Sequence, residues 1–370
     1  MASNAIRCVT ILLLAGLSAS QKECTQDVCY LNDTSLRFFL VGDWGGLPVW
    51  PYFTPAQKAV AQAMETIGEV QKTHFQMALG DNFYMIGVTN AHDPRFQSSF
   101  ENVFSLGEAN EKPWYVLAGN HDHYGNVSAQ IEYSKNSSRW IFPNYYYAIK
   151  YQLSNGVRIE IYMIDTVQLC GNTVEGQYGN LATYMLWGAK RRSPQGPADP
   201  EVADEQWRWL EANLRRSKAD YLFVAGHYPV WSVAEHGPTR CLVRRLRPLL
   251  QRYHVNAYFS GHDHNLQHLN ESGSNGWRVD YVLSGAGAYE DNSNKHKKKV
   301  PSGSSTFFYP TSNWDDFIGQ VGFGRGGFVF VEIMPEFAWF RYGLGDLREV
   351  HSFKSYRRAP FDSATPERRS

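Results

Sequence analysis

The chain has 370 residues, of which 43% are hydrophobic, and it carries 36 basic and 36 acidic side chains. A chain of this length and composition can bury a core well beyond the marginal range, so we expect it to fold. A formal net charge of zero disfavours polyanionic partners, and we expect no nucleic acid partner. We also expect no membrane span, because no stretch is apolar over the roughly 20 residues that a span needs.

The first 20 residues are typical of a secretory signal peptide. Arg7 supplies a positive charge, residues 8–17 form an apolar core, and residues 18–20 are small enough for a cleavage site. We therefore expect a protein of the secretory pathway, either secreted or lysosomal. Four asparagines lie in Asn-X-Ser/Thr sequences and are predicted glycosylation sites: Asn32, Asn126, Asn136 and Asn270.

Loss of Cys8 with the signal leaves four cysteines, an even number that suits an oxidising compartment. Three connectivities are open. We favour a local disulfide between Cys24 and Cys29 and a distant one between Cys170 and Cys241.

From residue 36 onward, apolar strand patterns alternate with helical patterns, which indicates an α/β fold with a largely parallel sheet core. An Asn-Gly turn between two further strand patterns predicts an antiparallel hairpin over 145–165. The predicted strands are 36–41, 74–79, 114–118, 145–153, 157–165, 221–225, 255–260, 280–283, 327–333 and 337–342. The predicted helices are 56–70, 96–104, 201–217 and 241–253.

No convincing linker divides the chain, so we expect one catalytic domain over residues 21–345 and a polar tail over 346–370. Residues 171–200 lack a periodic pattern and are predicted to form an exposed functional loop. We have no functional interpretation for residues 311–326.

Five predicted strands end on glycine followed or accompanied by polar side chains. These side chains are Asp43, Asp81 with Tyr84, Asn120 with His121, His227, and His262 with His264. If the strands are parallel neighbours, their carboxyl ends lie at one edge, where open α/β sheets bind ligands. Each group alone could be a helix cap, a turn residue or a core histidine. Their joint occurrence favours a site.

Carboxylates, imidazoles and a carboxamide suit first-row metal ions. Together with the phenol of Tyr84 they give seven candidate ligands, which are too many for a single tetrahedral ion: Asp43, Asp81, Tyr84, Asn120, His227, His262 and His264. Two ions can hold both oxygens of a displacement at phosphorus, so the set predicts phosphate ester hydrolysis. Tyr84 is informative because a phenol with a pKa near 10 binds a metal in acid only if a strong Lewis acid replaces its proton. It therefore indicates Fe(III) and a coloured protein.

The motifs GDWG, GDNFY, GNHD, VAGHYP and GHDH, in this order, resemble the five metal-ligand motifs of the purple acid phosphatases. The resemblance is closest to the small single-domain animal branch and covers about residues 36–342. It also includes HYPVWSVAEHGPT and VLSGAG. It implies a four-layer αββα sandwich of two mixed β-sheets flanked by helices, as in metallophosphoesterases.

The resemblance also implies a role for each site residue. Fe(III) would be held by Asp43, Tyr84 and His264; the second ion, Fe(II) or Zn(II), by Asn120, His227 and His262; and Asp81 would bridge the two. His121 and His236 would contact the phosphate and help the leaving group depart.

The implied activity is that of a monomeric acid phosphatase acting on phosphate monoesters, either small molecules or phosphoproteins. The expected mechanism is in-line attack by a metal-bound hydroxide without a phosphoenzyme.

Animal members of the family carry an exposed loop over the site, and its cleavage raises their activity. The corresponding loop here is longer and includes Lys190-Arg191-Arg192. We hypothesise that an activating protease acts there, with a passive insertion as the alternative.

Two other functions stay open at this stage. A secreted metallophosphodiesterase would share the Asp, Asn and His ligands but would have no need of Tyr84. A non-catalytic secreted iron-binding glycoprotein would be expected to show a broken ligand set, and the set here is intact.

Overall fold

The computed structural model describes residues 22–25, 28–105, 107, 112–173, 193–311 and 318–358. The strands of this part are β1 Lys22–Thr25, β2 Val28–Leu31, β3 Leu36–Val41, β4 Phe75–Leu79, β5 Trp114–Leu117, β6 Trp140–Ile141, β7 Tyr147–Leu153, β8 Arg158–Met163, β9 Tyr221–Ala225, β10 Ala257–Ser260, β11 Leu266–Ser272, β12 Arg278–Ser284, β13 Ser305–Tyr309, β14 Gly327–Ile333, β15 Phe337–Leu344 and β16 Glu349–Tyr356.

The α-helices of the same ranges are α1 Pro55–Gln71, α2 Val127–Tyr133, α3 Thr166–Cys170, α4 Pro200–Arg216 and α5 Arg240–Arg252. A π-helical turn covers Phe96–Glu101, and short 3-10 turns cover Asp122–Tyr124 and Lys297–Lys299. Among the helices of the described ranges, none combines the length and the apolar character that crossing a membrane requires.

The strands form two mixed sheets. One has the order β16-β15-β14-β3-β4-β5-β6, and the other β1-β2-β7-β8-β9-β10-β12-β11-β13. Strands β3 to β6 run parallel, and so do β8, β9, β10 and β12. The predicted hairpin is present as antiparallel β7 and β8, which makes the second sheet mixed.

Alternate residues of β3 show how the layers form. Phe38 and Leu40 belong to the core between the two sheets, whereas Phe39 and Val41 pack in a second core with residues of α1 such as Val60. A third core lies between the other sheet and the helices α3, α4 and α5. Strands buried on both faces read as continuous apolar runs, which is why β3, β4 and β9 were visible in the sequence. The predicted αββα sandwich is confirmed.

The structure differs from the predicted boundary at residue 345. Residues of the expected tail form β16, which pairs antiparallel with β15 at the edge of the seven-stranded sheet. Beyond it, the buried Arg358 donates to the carbonyl oxygens of Ser217 and Tyr253 at 2.9 and 3.1 Å. An alternating polar strand resembles a tail in sequence because only one of its faces is covered. The predicted loop 171–200 largely lies outside the described residues, and α4 begins at Pro200.

The favoured disulfide between Cys170 and Cys241 is present and joins α3 to the first turn of α5. Cys29 is also disulfide-bonded, and the β1–β2 ladder places Cys24 opposite it. Of the four predicted glycosylation sites, Asn32, Asn126 and Asn136 are exposed, and Asn270 is half-buried in β11. Their modification stays a prediction.

Candidate metal centre

The predicted ligands follow the carboxyl ends of strands in both sheets. Asp43, Asp81 and Asn120 follow the neighbouring strands β3, β4 and β5 of the seven-stranded sheet. His227 and His262 follow the neighbouring strands β9 and β10 of the other sheet. The sequence predicted that all these strand ends lie at one edge of one sheet. In the structure they lie at the edges of two sheets, which pack face to face with these strand ends on the same side. Direct contact shows this, since His227 Nδ1 lies 2.8 Å from the carbonyl oxygen of Leu79 at the end of β4.

Three of the ligand positions have left-handed backbone conformations. The φ angles of Asp43, Asp81 and His262 are 57°, 53° and 74°. Such conformations are unfavourable for residues with a Cβ, and in native proteins they concentrate at functional sites. The chain accepts this cost where it must turn each side chain back toward the meeting sheets.

The glycines next to the ligands leave room for buried carboxylates. A Cβ on Gly119 would lie 2.2 Å from Asp81 Oδ1, and one on Gly261 would lie 2.4 Å from Asp43 Oδ2. Both distances are far inside van der Waals contact. Glycine is therefore required at these strand ends to let a carboxylate enter the site, from the adjacent strand at Gly119 and from the opposite sheet at Gly261.

One group of predicted ligands consists of Asp43, Tyr84 and His264. The Tyr84 hydroxyl lies 3.0 Å from Asp43 Oδ1 and 2.9 Å from His264 Nε2, and His264 Nε2 is 3.6 Å from Asp43 Oδ1. Asp43 and Tyr84 are fully buried, whereas a quarter of the His264 side chain is exposed. Three donor atoms of different chemistry thus converge at the rim of the site.

The second group consists of Asp81, Asn120, His227 and His262. His227 Nε2 lies 3.0 Å from Asn120 Oδ1 and 3.3 Å from Asp81 Oδ2. One potential ligand atom each of Asp81, His227 and His262 lies within 4.8 Å of the other two. All four residues are buried, so the site excludes most of the surrounding water.

The orientation of these groups suits metal binding. Because a carbonyl oxygen only accepts, His227 donates from Nδ1 to Leu79, which leaves Nε2 facing Asp81 and Asn120. The Asn120 Nδ2 atom is buried and has no hydrogen-bond partner within the part of the chain that the structure describes. Carboxylate, carboxamide, imidazole and phenol oxygens and nitrogens are an appropriate donor set for first-row ions. The residues therefore fit a binuclear metal site.

Buried charge explains the titration of the metal-free centre. Burial alone would lower the pKa of His227, but the carboxylates of Asp81 and Asp43 outweigh it and raise this pKa to about 9. Burial raises the pKa of Asp43, and the charge of Asp81 adds to this effect. For Tyr84, burial and the same two carboxylates all raise the pKa above its usual 10. In the metal-free centre these three groups therefore keep protons that a bound cation would displace.

His121 and His236, predicted to contact substrate, both lie beside the centre. The His121 backbone N–H donates to Asp81 Oδ1 at 2.9 Å, and its Nδ1 lies 2.6 Å from the carbonyl oxygen of Met85. His236 Nδ1 lies 2.7 Å from Asp263 Oδ1, and its ring centroid is 4.0 Å from that of His262. Each ring is therefore held at one nitrogen and borders the predicted ligands.

Three aspartates near the motifs support the loops and do not join the cluster. Asp122 accepts from Gly119 N–H at 2.8 Å, Asp165 caps α3, and Asp263 holds His236. The sequence reasoning missed Tyr289, whose ring centroid lies 5.4 Å from that of Tyr84 and 5.6 Å from that of His264. It lies in a loop outside the five motifs, so no local signal indicated it.

Comparison with known proteins identifies the class. A family model described as calcineurin-like phosphoesterase matches residues 36–266, which is more than half of the chain, and the chain belongs to this family. The match spans β3 to β10 and hence every predicted ligand of the binuclear centre.

Within this class, the chain is similar to tartrate-resistant acid phosphatase type 5 of Rattus norvegicus. The two are 47% identical over 306 residues, which are 82% of this chain and 85% of the relative. A plant relative, purple acid phosphatase 17 of Arabidopsis thaliana, is 32% identical over 70% of each chain. The resemblance to purple acid phosphatases noted in the motifs is confirmed, and with it the prediction of an acid phosphatase enzyme.

Among solved structures, the fold is similar to that of GAP50, the anchor in the inner membrane complex of Plasmodium. The TM-score is 0.67 at 21% identity, and the match covers 89% of this chain and 90% of that one. At this identity, the likeness shows the fold alone.

Proposed function

We propose that this chain hydrolyses phosphate monoesters in acid at a binuclear centre of Fe(III) and a divalent ion. The proposal rests above all on the Tyr84 hydroxyl, which lies 3.0 Å from Asp43 Oδ1 and 2.9 Å from His264 Nε2. A phenol hydroxyl between a carboxylate and an imidazole is positioned to bind an ion that is a strong Lewis acid. The names of the similar proteins, acid phosphatase and purple acid phosphatase, support the same activity.

The ligand assignment follows the two groups of contacts. Asp43, Tyr84 and His264 would hold Fe(III); Asn120, His227 and His262 would hold Fe(II) or Zn(II); and Asp81 would bridge. When bound, the two ions would make a water-derived nucleophile available in acid and neutralise the charge that develops on the phosphoryl oxygens.

The protein's own residues would position the ester and supply a proton. His236 is fixed through Nδ1 by Asp263, so its Nε2 would donate a proton to the ester oxygen as the leaving group departs. His121 is fixed through Nδ1 by the Met85 carbonyl, so its Nε2 would orient the phosphate. Because Nδ1 of each ring faces an acceptor oxygen and carries the proton of the neutral ring, an N–H on Nε2 requires the imidazolium form. No covalent phosphoenzyme is needed, because no side chain of the centre is required as the nucleophile.

The test is metal analysis, a visible spectrum and p-nitrophenyl phosphate turnover across pH on the purified protein. We expect two metal ions per chain, absorption in the visible range and most turnover in acid. Tyr84→Phe should abolish the absorption. Tyr289→Phe is the matched control, because the Tyr289 hydroxyl donates to the Gly46 carbonyl oxygen at 2.8 Å and its loss leaves the proposed ligands in place. A folded, colourless protein without metal or turnover would refute the proposal.

The same measurement separates the alternatives. A phosphodiesterase would turn over bis(p-nitrophenyl) phosphate faster than the monoester, and Tyr84→Phe would leave its rate unchanged. An iron-binding glycoprotein would be coloured but would hydrolyse neither substrate.

Regulation by proteolysis stays a proposal, because Lys190-Arg191-Arg192 lies outside the described residues. We expect a trypsin-like protease to cut the chain there and to raise turnover. A clean cut with unchanged turnover would show that the loop is a passive insertion.

Entry into the secretory pathway is supported by the Cys170–Cys241 disulfide and by three exposed acceptor asparagines. The expected product is a glycosylated monomer without its first 20 residues. N-terminal sequencing, a mobility shift after endoglycosidase treatment and light scattering test these three points.

A further inference from the structure

A groove beside the candidate centre is lined by basic side chains that the proposed chemistry does not use. The groove is about 310 Å³ in volume, and its lining includes Trp231, His236, Arg240, Arg244, His296 and Lys299. We call it the basic groove. His236 belongs both to this lining and to the centre, where its ring stands 4.0 Å from the ring of His262. A substrate whose phosphate is at the centre can therefore extend into the basic groove.

Two segments are fixed against each other along this groove. His296 N–H donates to the Val233 carbonyl oxygen at 2.9 Å, and His296 Nδ1 lies 2.7 Å from the Ala234 carbonyl oxygen. A Cβ on Gly237 would lie only 2.4 Å from His296 Cγ, so the chain that carries His236 packs directly on the imidazole. Lys299 N–H in turn donates to the His296 carbonyl oxygen at 2.7 Å. The lysine run 297–299 is thus anchored beside His236.

In the part of the chain that the structure describes, no acidic side chain pairs with three cationic side chains of the basic groove. Within the described ranges, no carboxylate forms an ion pair with Arg240, Arg244 or Lys299, and all three side chains are exposed. The nearby acids are engaged elsewhere, since Glu271 accepts from Arg247 Nε at 2.8 Å and Glu235 pairs with Lys295.

The first turn of α5 adds to the positive potential. Its N-cap residue Thr239 makes no side-chain capping bond, and the turn contains no acidic residue. The first N–H groups and the helix dipole therefore add to the charge of Arg240 and Arg244 at this end of the helix.

The arrangement favours an extended polyanion over a compact one. Arg240 and Arg244 are four residues apart on α5 and so stand roughly 5–6 Å from each other along one face, and Lys299 comes from a separate segment. Guanidinium groups spaced in this way can each bind a different carboxylate. We propose that the basic groove binds the acidic residues that flank a phosphoserine in a peptide substrate. This inference rests on the proposed phosphatase function.

The test compares two phosphoserine peptides that differ only in their flanks, Asp in one and Asn in the other. The wild-type chain should prefer the Asp peptide by about tenfold in kcat/KM at low salt, and this preference should fall as salt screens the charges. The variant Arg240→Gln/Arg244→Gln should reduce the ratio to about one. Its matched control, Lys297→Gln/Lys298→Gln, removes the same charge from exposed residues outside the groove lining and should keep the preference.

The controls distinguish the two proposals. Both double variants should turn over p-nitrophenyl phosphate at the wild-type rate, because neither changes a residue of the centre. Equal kcat/KM for the two peptides in the wild type, or an equal loss of preference in both double variants, would overturn the basic groove as a subsite. If the chain hydrolyses none of the substrates, the phosphatase proposal fails. In that case, fluorescence anisotropy of the same peptides tests the subsite separately. The proposal then requires the wild type to bind the Asp peptide more tightly than the Asn peptide, and this difference must depend on Arg240 and Arg244.

Discussion

Gly261→Ala tests whether strand-end glycines determine the geometry of the centre. Gly261 is not a proposed ligand, but the added Cβ would lie 2.4 Å from Asp43 Oδ2, whereas its next contact, the Leu79 carbonyl oxygen, would be 3.3 Å away. Ordinary contact begins near 3.4 Å, so the Asp43 carboxylate must move by about 1 Å. That carboxylate also accepts the His262 N–H at 2.7 Å, so both residues would shift.

A displacement of about 1 Å in a catalytic constellation can reduce turnover by about 100-fold. We expect a loss of this order in kcat/KM for p-nitrophenyl phosphate, together with less bound metal at the proposed ferric position. The free energy of unfolding should fall by only about 1–3 kcal/mol, the usual cost of overpacking. Metal analysis, kinetics and urea unfolding on one preparation separate these effects.

The control is Gly68→Ala on α1, where the new Cβ would lie 3.3 Å from Thr73 Oγ1 and 3.7 Å from Phe39 Cε2. It should leave metal content and turnover unchanged. If Gly261→Ala keeps full metal content and wild-type turnover, then Asp43 is either free to move or not a ligand, and the steric reasoning is refuted.

Three further predictions concern stability. Cys170→Ala/Cys241→Ala opens a loop with a sequence separation of 71 and should cost about 4 kcal/mol, measured by urea unfolding, with an unchanged midpoint arguing against it. Burial and Arg37 lower the pKa of His74 from 6.5 to about 4, so stability is full above pH 6.5 and falls as pH drops toward 4. Protonation of His74 should lower the free energy of unfolding of the wild type by about 2.5 kcal/mol at pH 4.5, and His74→Asn should remove this loss. Arg358→Met should cost about 3 kcal/mol, because it removes the hydrogen bonds that the carbonyl oxygens of Ser217 and Tyr253 accept from the buried guanidinium.

Apolar runs made the central strands predictable. Strands β3, β9 and β14 have the predicted bounds, because strands buried on both faces are marked by nearly continuous hydrophobic residues. Strands β3 and β9 are in addition followed directly by glycine. The strand-end motifs therefore located the candidate centre. What periodicity could not provide was the division of those ends between two sheets, since that depends on packing between distant segments.

Edge elements and loop residues were harder to predict. Strand β16 contains mostly polar or half-buried residues, and its hydrophobic contribution to the core comes from Val350 and Phe353. Strand β11 begins at Leu266, directly behind the GHDH motif, and was not predicted as a separate strand. Tyr289 contacts two proposed ligands from a loop without a periodic pattern, so only tertiary structure reveals it.

The meeting of two sheets has a thermodynamic consequence. Each proposed ligand set takes residues from both sheets: Asp43 and Tyr84 with His264 in one, and Asn120 with His227 and His262 in the other. Each ion would therefore fasten one half of the sandwich to the other. By mass action, an ion that binds only while the two sheets are packed together stabilises the packed state by RT ln(1 + [L]/Kd), where [L] is the concentration of the free ion and Kd its dissociation constant. Retention of metal and cohesion of the two sheets would then be a single equilibrium, so a chelator would lower the melting temperature of the whole domain.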